Sequence, residues 1–273
     1  MNIKAIFSDL DGTLLTDSKD ISPANRAAID KALALGHKFI ITTGRPLDSA
    51  IQQAQALELT GPGCLLISFN GAVIYDMGTQ EVVFRQTIPL PLVEKVHREA
   101  QRQGIHIQTY DQTHVLVEPH CDDAEIRAYC QIIHTKYRVI PNISAMTEEP
   151  PKMLLIHEEL DGKLEAFRQW LLSWCEGQLD TFYSSDSLLE VVSAGMNKGN
   201  ALLRLAERLN IPREDTISIG DSGNDLAMIR AAGAGVAMVN AVESVREAAD
   251  YITQRDNNHD AIEEVLEEFV FGQ

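Results

Sequence analysis

The sequence predicts an α/β protein, in which a parallel sheet formed by both ends of the chain is interrupted by an inserted α+β domain. In the first 70 residues, and again after residue 197, short apolar runs alternate with helical stretches. This order is typical of parallel strands joined by right-handed crossovers. Between these regions, pairs of strand-like segments alternate with helices, which is typical of an open-faced antiparallel sheet.

The first part of the parallel sheet is predicted to contain three strands and two helices. Residues 4–8 form a short apolar run that ends at acidic residues, as in a strand buried on both faces. A helix begins at Pro23 with Ser22 as its N-cap and ends near Leu35, because Gly36 stops it. The elements that follow are a strand at 37–42, a helix from Pro46 to about Leu57 and a strand at 64–68.

The pattern changes at Asn70-Gly71, which is typical of a hairpin turn. The elements predicted after it are an extended segment at 81–88, a helix at 91–103, a hairpin of 105–110 with 114–118, a helix at 122–135, a strand at 152–157, a helix at 160–174 and a strand at 188–192.

The first pattern returns near Asn197. Its elements are a helix at 200–209, a strand at 216–220, a helix at 226–232, a strand at 236–238, a helix that begins with the capping-box-like Asn240-Ala241-Val242-Glu243, and a helix at 260–269. The sequence therefore predicts one domain made of residues 1–83 and 194–273, with residues 84–193 inserted as a second domain.

Composition and charge restrict the class of protein. The 273 residues are 45% hydrophobic and contain no apolar run of the length that a membrane helix needs. The apolar stretch at the N-terminus ends at Asp9, too early for a signal peptide, so we expect a soluble cytoplasmic protein. Forty acidic against 23 basic residues give a net charge of −17, which argues against nucleic acid and against an anionic membrane surface as partners. It does not exclude a small phosphorylated substrate, because a binding site is local.

The four cysteines are predicted to be buried free thiols. They form no CxxC pair, and they are too few for a disulfide framework. The chain carries no HExxH pattern either.

Three polar clusters follow predicted strands, at the edge where open parallel sheets bind ligands. In Asp9-Leu10-Asp11-Gly12-Thr13, two carboxylates share one face of an extended segment, and Gly12 allows a sharp turn. Thr42-Thr43-Gly44-Arg45-Pro46 places a hydroxyl and a backbone N–H just before a helix, which suits an oxyanion. Gly220-Asp221-Ser222-Gly223-Asn224-Asp225 adds two acids, and Lys198 opens a helix upstream. Each fragment alone could be a turn, a helix cap or a solvated loop, whereas their joint occurrence indicates a site.

Taken together, these motifs resemble those of the haloacid-dehalogenase superfamily phosphatases, in the Cof-type branch. The residues that match its four motifs in order are Asp9-Leu10-Asp11-Gly12-Thr13-Leu14-Leu15, Thr43, Lys198 and Gly220-Asp221-Ser222-Gly223-Asn224-Asp225. The segments Thr-Thr-Gly-Arg-Pro and Ser-Phe-Asn-Gly-Ala narrow the resemblance to the Cof-type group. The resemblance covers the chain from end to end. The resemblance implies a Rossmann-like parallel-sheet core with a C2-type α+β cap, inserted after the third strand and carrying an antiparallel sheet.

The resemblance also implies roles for the acidic residues. Asp9 would attack phosphorus and form an aspartyl-phosphate. Asp11 would protonate the leaving alkoxide and then deprotonate the water that hydrolyses the intermediate. Acids so close together would repel an anionic substrate without a cation, and Mg²⁺ is the one that hard oxygen ligands suit. Asp9 and Asp221 would bind it by their side chains, and Asp11 through its backbone carbonyl.

The remaining site residues are implied to bind the phosphoryl group or to support those that do. Groups that would donate to the phosphoryl oxygens are the side chains of Lys198, Thr43 and Asn224 and the backbone N–H groups of Leu10 and Gly44. Asp225 would orient Lys198 or the waters of the metal. Arg45 could contact the substrate or pair with a core acid, and Asn70, after the third strand, is a further candidate for contact with the substrate.

Three functions stay open at this point. The first is a Mg²⁺-dependent phosphatase of small phosphorylated metabolites such as sugar phosphates, with the cap selecting the substrate. The second is a phosphoryl transferase or phosphomutase on the same core, and the third is a non-enzymatic metabolite sensor. A carboxylate two residues after the nucleophile favours ester hydrolysis, and a sensor would have lost a catalytic residue, whereas none is lost here. The polar residues of the cap that are candidates for contact with the substrate are His106, Tyr110, His114, Arg127, Tyr183 and Ser185. The sequence does not indicate an oligomeric state.

Overall fold

The computed structural model describes residues 2–111, 113–133 and 135–272. The chain divides into two compact units. The first contains the residues up to Gly44, Ala50–Phe84 and the residues from Asn197 onward, and the second contains Arg45–Ser49 and Arg85–Met196. The predicted α/β architecture is confirmed, because one sheet is mainly parallel and the other is mostly antiparallel.

The elements in chain order are β1 (Ala5–Ser8), α1 (Pro23–Ala34), β2 (Lys38–Thr42), α2 (Leu47–Ala56), β3 (Cys64–Ser68), β4 (Val73–Asp76), β5 (Glu81–Arg85), α3 (Leu90–Gln103), β6 (His106–Tyr110), β7 (His114–Val117), α4 (Ala124–Ile132), β8 (Lys136–Val139), β9 (Lys152–Ile156), α5 (Lys163–Leu172), β10 (Leu179–Ser185), β11 (Leu188–Ser193), α6 (Lys198–Arg208), β12 (Thr216–Gly220), α7 (Leu226–Ala231), β13 (Ala234–Ala237), α8 (Glu243–Ala248), β14 (Tyr251–Ile252) and α9 (Ala261–Leu266).

The sheet of the first unit has the strand order β14-β13-β12-β1-β2-β3-β4-β5. The central strand β1 pairs in parallel with β12 and β2, so that Phe7 lies opposite both Ser218 and Ile40. Strand β2 pairs in parallel with β3, and the predicted hairpin at Asn70-Gly71 joins β3 to the antiparallel β4. The carboxyl ends of β12, β1, β2 and β3 therefore meet at one edge, which is where the polar clusters lie.

Buried side chains on this sheet and its helices hold that edge in place. Phe7 and Ile40 pack in one cluster with Leu202, Leu205 and Met228 from α6 and α7. Ser22 caps α1 as predicted, because its side chain accepts a hydrogen bond from the backbone N–H of Asn25. All four cysteines are buried and free, as predicted.

The sheet of the second unit has the order β10-β11-β9-β6-β7-β8, and it is antiparallel except between β7 and β8. Helix α3 contacts β6, and α5 contacts β10. The predicted hairpin of β6 with β7 is present. In the part of the chain that the structure describes, no helix combines the length and apolarity that crossing a bilayer requires.

Some boundaries differ from the sequence predictions. Strands β8, β10 and β14 were not predicted, since their residues, apart from the buried Leu179, are half-exposed or exposed and lack a clear apolar pattern. The helix predicted at 122–135 spans only Ala124–Ile132, and His134 lies outside the described residues. The helix predicted at 260–269 is α9 followed by a π-helical turn at Glu267–Phe271.

The predicted capping box at the start of α8 is wrong. The N-cap of α8 is Val242, which provides no side-chain hydrogen bond. Asn240 instead donates from Nδ2 to the carbonyl of Gly12, 2.9 Å away. Its amide is therefore used to hold the loop after β1 and not to cap the helix.

Candidate active site

Asp9 directly follows β1 and is only 7% exposed. Its backbone N–H donates to Ile219 of β12, which continues the parallel pairing by one residue and fixes the backbone. Its Oδ1 lies 2.5 Å from Nζ of Lys198. The predicted nucleophile is thus a buried carboxylate held by one ammonium group.

Lys198 is the first residue of α6 and is fully buried. Asn197 caps this helix by accepting from the backbone N–H of Asn200 at 2.8 Å. The ammonium group lies between Asp9 and Asp225, at 2.5 and 2.6 Å. A cation at a helix N-terminus opposes the helix dipole, so the two carboxylates, and not the helix, account for its position. Burial alone would lower the pKa of Lys198, but Asp225 and Asp9 outweigh it and the pKa is raised.

The carboxylate of Asp225 is held in place by three hydrogen bonds. Its Oδ1 accepts from Lys198, and its Oδ2 accepts from the backbone N–H groups of Asp221 and Ser222 at 3.0 and 2.9 Å. Ser222 and Asp225 form a capping box around the short 3₁₀ turn Gly223–Asp225. This arrangement orients the carboxylate towards Lys198, which is one of the two alternatives that the resemblance implied for Asp225.

Asp9, Asp221 and Asp225 form an acidic cluster, in which one carboxylate oxygen of each residue lies within 4.8 Å of the other two. Burial, and then the charge of Asp225, raise the pKa of Asp9 in spite of Lys198. Burial and Asp225 also raise the pKa of Asp221, although Thr13 and Ser222 donate to its oxygens at 2.7 and 2.8 Å.

This donor set fits a divalent cation. Three carboxylates face one ammonium group, so the cluster carries excess negative charge, and oxygen donors are those that Mg²⁺ prefers. Asp225 is fully buried and accepts from an ammonium group and two backbone N–H groups, whereas Asp221 is half-buried and accepts from two hydroxyl groups. Asp9 and Asp221 are therefore the carboxylates that would supply side-chain ligands.

The carboxylate of Asp11 does not belong to the acidic cluster. It lies 2.9 Å from Nζ of Lys19, and the two side chains are 39% and 51% exposed. Directly after Asp11 the chain turns at Gly12, which has a φ of +83°. A Cβ at Gly12 would lie 2.8 Å from Oδ2 of Asp221, so glycine is needed for both the turn and the close approach.

Thr43, Gly44 and Asn70 lie together where β2 and β3 end. Thr43 is buried, and its backbone N–H donates to Ile67 while its carbonyl accepts from the N–H of Asn70. Asn70 has left-handed backbone angles of 55° and 30°, and a Cβ at Gly44 would lie 3.1 Å from its amide atoms.

The side chain of Asn224 reaches this group. Its Nδ2 donates to Oδ1 of Asn70 at 3.1 Å. Nδ2 of Asn70 has no hydrogen-bond acceptor among the residues that the structure describes. The loops after β2, β3 and β12 therefore converge, with Leu10 fully buried in the loop after β1. Arg45 is buried and belongs to the second unit.

Sequence reasoning missed several contacts. Lys19 gave no signal, because it lies in a polar loop, and Asn70 and Asn224 are 154 residues apart. In the second unit, Lys152 and Glu190 form a buried ion pair of 2.8 Å, with both side chains at most 5% exposed. The pair could have been predicted from a lysine and a glutamate in mainly apolar strands, because charged side chains are rarely buried unless they are paired.

The polar candidates in the inserted domain all have partners in the second unit. Those bonded to acidic residues are His106 with Asp123, Arg127 with Asp122 and Tyr183 with Glu165. The hydroxyl of Tyr110 lies 2.8 Å from that of Tyr129 and accepts from Gln108. His114 lies 3.8 Å from Asp111, and the hydroxyl of Ser185 lies 3.5 Å from that of Ser187.

Comparison with known proteins gives a consistent result. A family model described as haloacid dehalogenase-like hydrolase matches residues 6–266. A Bacillus subtilis protein named 5-amino-6-(5-phospho-D-ribitylamino)uracil phosphatase YcsE is 31% identical, and the alignment covers 99% of this chain and 97% of that protein. The crystal structure of a haloacid dehalogenase-like hydrolase from Bacteroides thetaiotaomicron has a TM-score of 0.87 and 31% identity, over 98% and 99% of the two chains. A sugar phosphatase of haloacid dehalogenase subclass IIB has a TM-score of 0.81 and 25% identity, over 97% and 98%.

Proposed function

The chain belongs to the haloacid dehalogenase-like hydrolase family, and on that premise we propose how its residues hydrolyse a phosphate ester. The resemblance to Cof-type phosphatases is confirmed, and the protein is a phosphoric monoester hydrolase. The observation that carries the proposal is the buried arrangement of Asp9, Lys198 and Asp225, in which one ammonium group orients the nucleophile.

In the first step, an oxygen of Asp9 attacks phosphorus and the bond from phosphorus to the leaving oxygen breaks. The carboxylic acid of Asp11 gives its proton to that oxygen, so an alcohol leaves and an aspartyl-phosphate remains on Asp9. In the second step, the Asp11 carboxylate takes a proton from water while the water oxygen attacks phosphorus. Inorganic phosphate leaves, the Asp9 carboxylate is restored, and Asp11 is again protonated.

The phosphoryl oxygens need positive charge and hydrogen-bond donors throughout. We assign this role to Lys198, to the side chains of Thr43 and Asn224, and to the backbone N–H groups of Leu10 and Gly44. Asn70 is a further donor in the proposal, and its amide nitrogen without an acceptor supports this role.

The acidic cluster would hold Mg²⁺ through the side chains of Asp9 and Asp221 and the backbone carbonyl of Asp11. The bound cation would neutralise the excess negative charge of the cluster and of the phosphoryl group. Asp225, which is fully buried and accepts from Lys198 and from two backbone N–H groups, would act through Lys198.

The substrate is proposed to be a small phosphorylated metabolite, with a sugar phosphate as the first class to test. One relative is named for a ribitylaminouracil phosphate and one structural neighbour as a sugar phosphatase, so a polyhydroxylated leaving group is common to both. We propose that the inserted domain, residues 84–193, acts as the cap that selects it. The cytoplasmic location stays a prediction.

The test is rapid-quench kinetics with a ³²P-labelled phosphate ester. The parent protein should form an acid-stable, base-labile phosphoprotein, and release inorganic phosphate at a matching rate. Asp9→Asn should form none and lose turnover, because an amide cannot attack phosphorus, while its circular dichroism spectrum stays unchanged. Full turnover by the Asn variant would place the nucleophile elsewhere. Transfer of the label to an added alcohol in preference to water would favour a phosphotransferase over a phosphatase.

A further inference from the structure

The proposed acid–base residue, Asp11, has a partner that neither the family comparison nor the motifs indicate. Nζ of Lys19 lies 2.9 Å from Oδ1 of Asp11, and eight residues separate the two in sequence. The motif that contains Asp11 does not extend to Lys19. The pair lies within the first unit, outside the network around Lys198.

The loop that carries Lys19 is held at both ends. The backbone N–H of Thr16 donates to Asp20, and the N–H of Lys19 donates to Thr16, both at 2.9 Å. The amide of Asn257 donates to the carbonyl of Leu15, and the N–H of Asp17 donates to Asn258. The backbone of Lys19 is therefore fixed relative to the turn that carries Asp11, so the ammonium group can restrain that carboxylate.

Lys19 occupies a backbone conformation that favours other residues. Its φ is +65°, in the left-handed region where glycine and asparagine are preferred over a long side chain. The backbone gains nothing from a lysine there, whereas the side chain forms an ion pair with Asp11. What a lysine contributes at this position is therefore the ion pair with Asp11 and not the backbone conformation.

We propose that Lys19 is a positioning residue, which holds the carboxylate of Asp11 in the orientation needed for proton transfer. The inference rests on the proposed function, because it assigns Lys19 to the acid–base residue of that reaction. Both side chains are about half exposed, so the pair changes the population of the oriented carboxylate by no more than about five-fold. Lys19 should therefore have a modest effect that is confined to the steps that use Asp11.

The test measures phosphorylation and dephosphorylation separately, by single-turnover kinetics, for an aryl and an alkyl phosphate. Lys19→Met should slow phosphorylation by the alkyl ester and hydrolysis of the phosphoprotein by about two- to five-fold. Phosphorylation by the aryl ester should be unchanged, because a good leaving group needs little protonation. Lys19→Arg, which keeps the cation, should restore most of the loss.

Two further variants separate this inference from a structural effect. Lys31 is an exposed lysine in the same unit, 3.5 Å from Glu267, and Lys31→Met should change none of the rates. Lys19→Gly should show the kinetics of Lys19→Met with an unchanged or higher melting temperature, because it relieves the left-handed strain. Equal slowing of both esters in Lys19→Met would overturn the inference.

The outcome with Asp11→Asn separates the inference from the proposed function. In the Asp11→Asn background, Lys19→Met should have no additional effect, since the group it positions is gone. A full additional effect in that background would show that Lys19 does not act through Asp11. If Asp11→Asn itself slows aryl and alkyl phosphorylation equally, the acid role of Asp11 fails and this inference fails with it.

Discussion

Replacing Lys198 by Met removes the positive charge that balances Asp9 and Asp225. Lys198 is fully buried, and Asp225 is fully buried as well. Breaking a buried ion pair by removing one partner costs about 3–5 kcal/mol of unfolding free energy, because a charge stays behind without compensation. A domain has about 5–15 kcal/mol in total, so Lys198→Met should remain folded but be markedly weakened. At about 2–4 °C per kcal/mol, the melting temperature should fall by about 6–20 °C.

The loss should depend on pH in a defined direction. Lys198 lowers the pKa of Asp9, which burial and Asp225 already raise, so removing Lys198 raises this pKa further. An acid whose pKa is higher in the folded than in the unfolded protein binds more protons when folded. The stability of the variant should therefore fall as the pH rises above the unfolded pKa of an aspartate, about 4. Because burial already raises the pKa of Asp9 in the parent, the gap in stability between variant and parent should widen as the pH rises above that folded pKa.

The assay is chemical denaturation followed by circular dichroism at several pH values, with a chelator present so that no cation replaces the ammonium group. Lys198→Met with Asp225→Asn should recover much of the stability, because one stranded charge is removed. Lys152→Met is the matched control, since Lys152 is also buried and forms an ion pair with Glu190 in the second unit. A loss below about 1 kcal/mol for Lys198→Met at neutral pH would refute the reasoning, because it is far below what stranding a buried charge costs.

Two further predictions concern the metal and the inserted domain. A chelator should abolish hydrolysis of an aryl phosphate and added Mg²⁺ should restore it, because the three acids of the cluster need a cation; full activity in chelator would remove the metal from the proposal. Replacing the inserted domain, residues 84–193, by a short Gly/Ser linker should leave Mg²⁺ binding intact, since Asp9, Asp11 and Asp221 lie outside it. Isothermal titration of a soluble product would measure that binding. Activity on a preferred metabolite should fall far more than activity on an aryl phosphate, and an unchanged preference would show that the inserted domain does not select the substrate.

The parallel sheet could be predicted because its strands are continuous apolar runs that end in short polar motifs. Burial on both faces imposes that pattern on β1, β2, β3 and β12, and the carboxyl ends of these strands then place the motifs at one edge. Strands β8 and β10 escaped prediction because they keep charged and polar residues on an exposed surface.

The site could be predicted where a motif carries all of its own residues, as in Asp221–Asp225. It could not be predicted where the contact depends on how distant loops fold. The bond from Asn224 to Asn70 joins two turns that have no common sequence signal, and it requires the left-handed backbone of Asn70. The pairing of Asp11 with Lys19 depends on a loop that residues near Asn257 hold in place.

The construction of the first unit from both ends of the chain has a consequence for synthesis. Lys198 follows Asp9 by 189 residues, so at about 5–20 residues per second it is added roughly 10–40 s later. During that time the edge of β1 that will pair with β12 is open, and an open strand edge invites pairing with other chains. The inserted residues 85–196 are all synthesised within the same interval and have a sheet of their own. A ribosome stalled just before Lys198 would therefore have synthesised all of residues 85–196 but not β12, the strand that pairs with the open edge of β1. At this stage the nascent chain should depend most on chaperones.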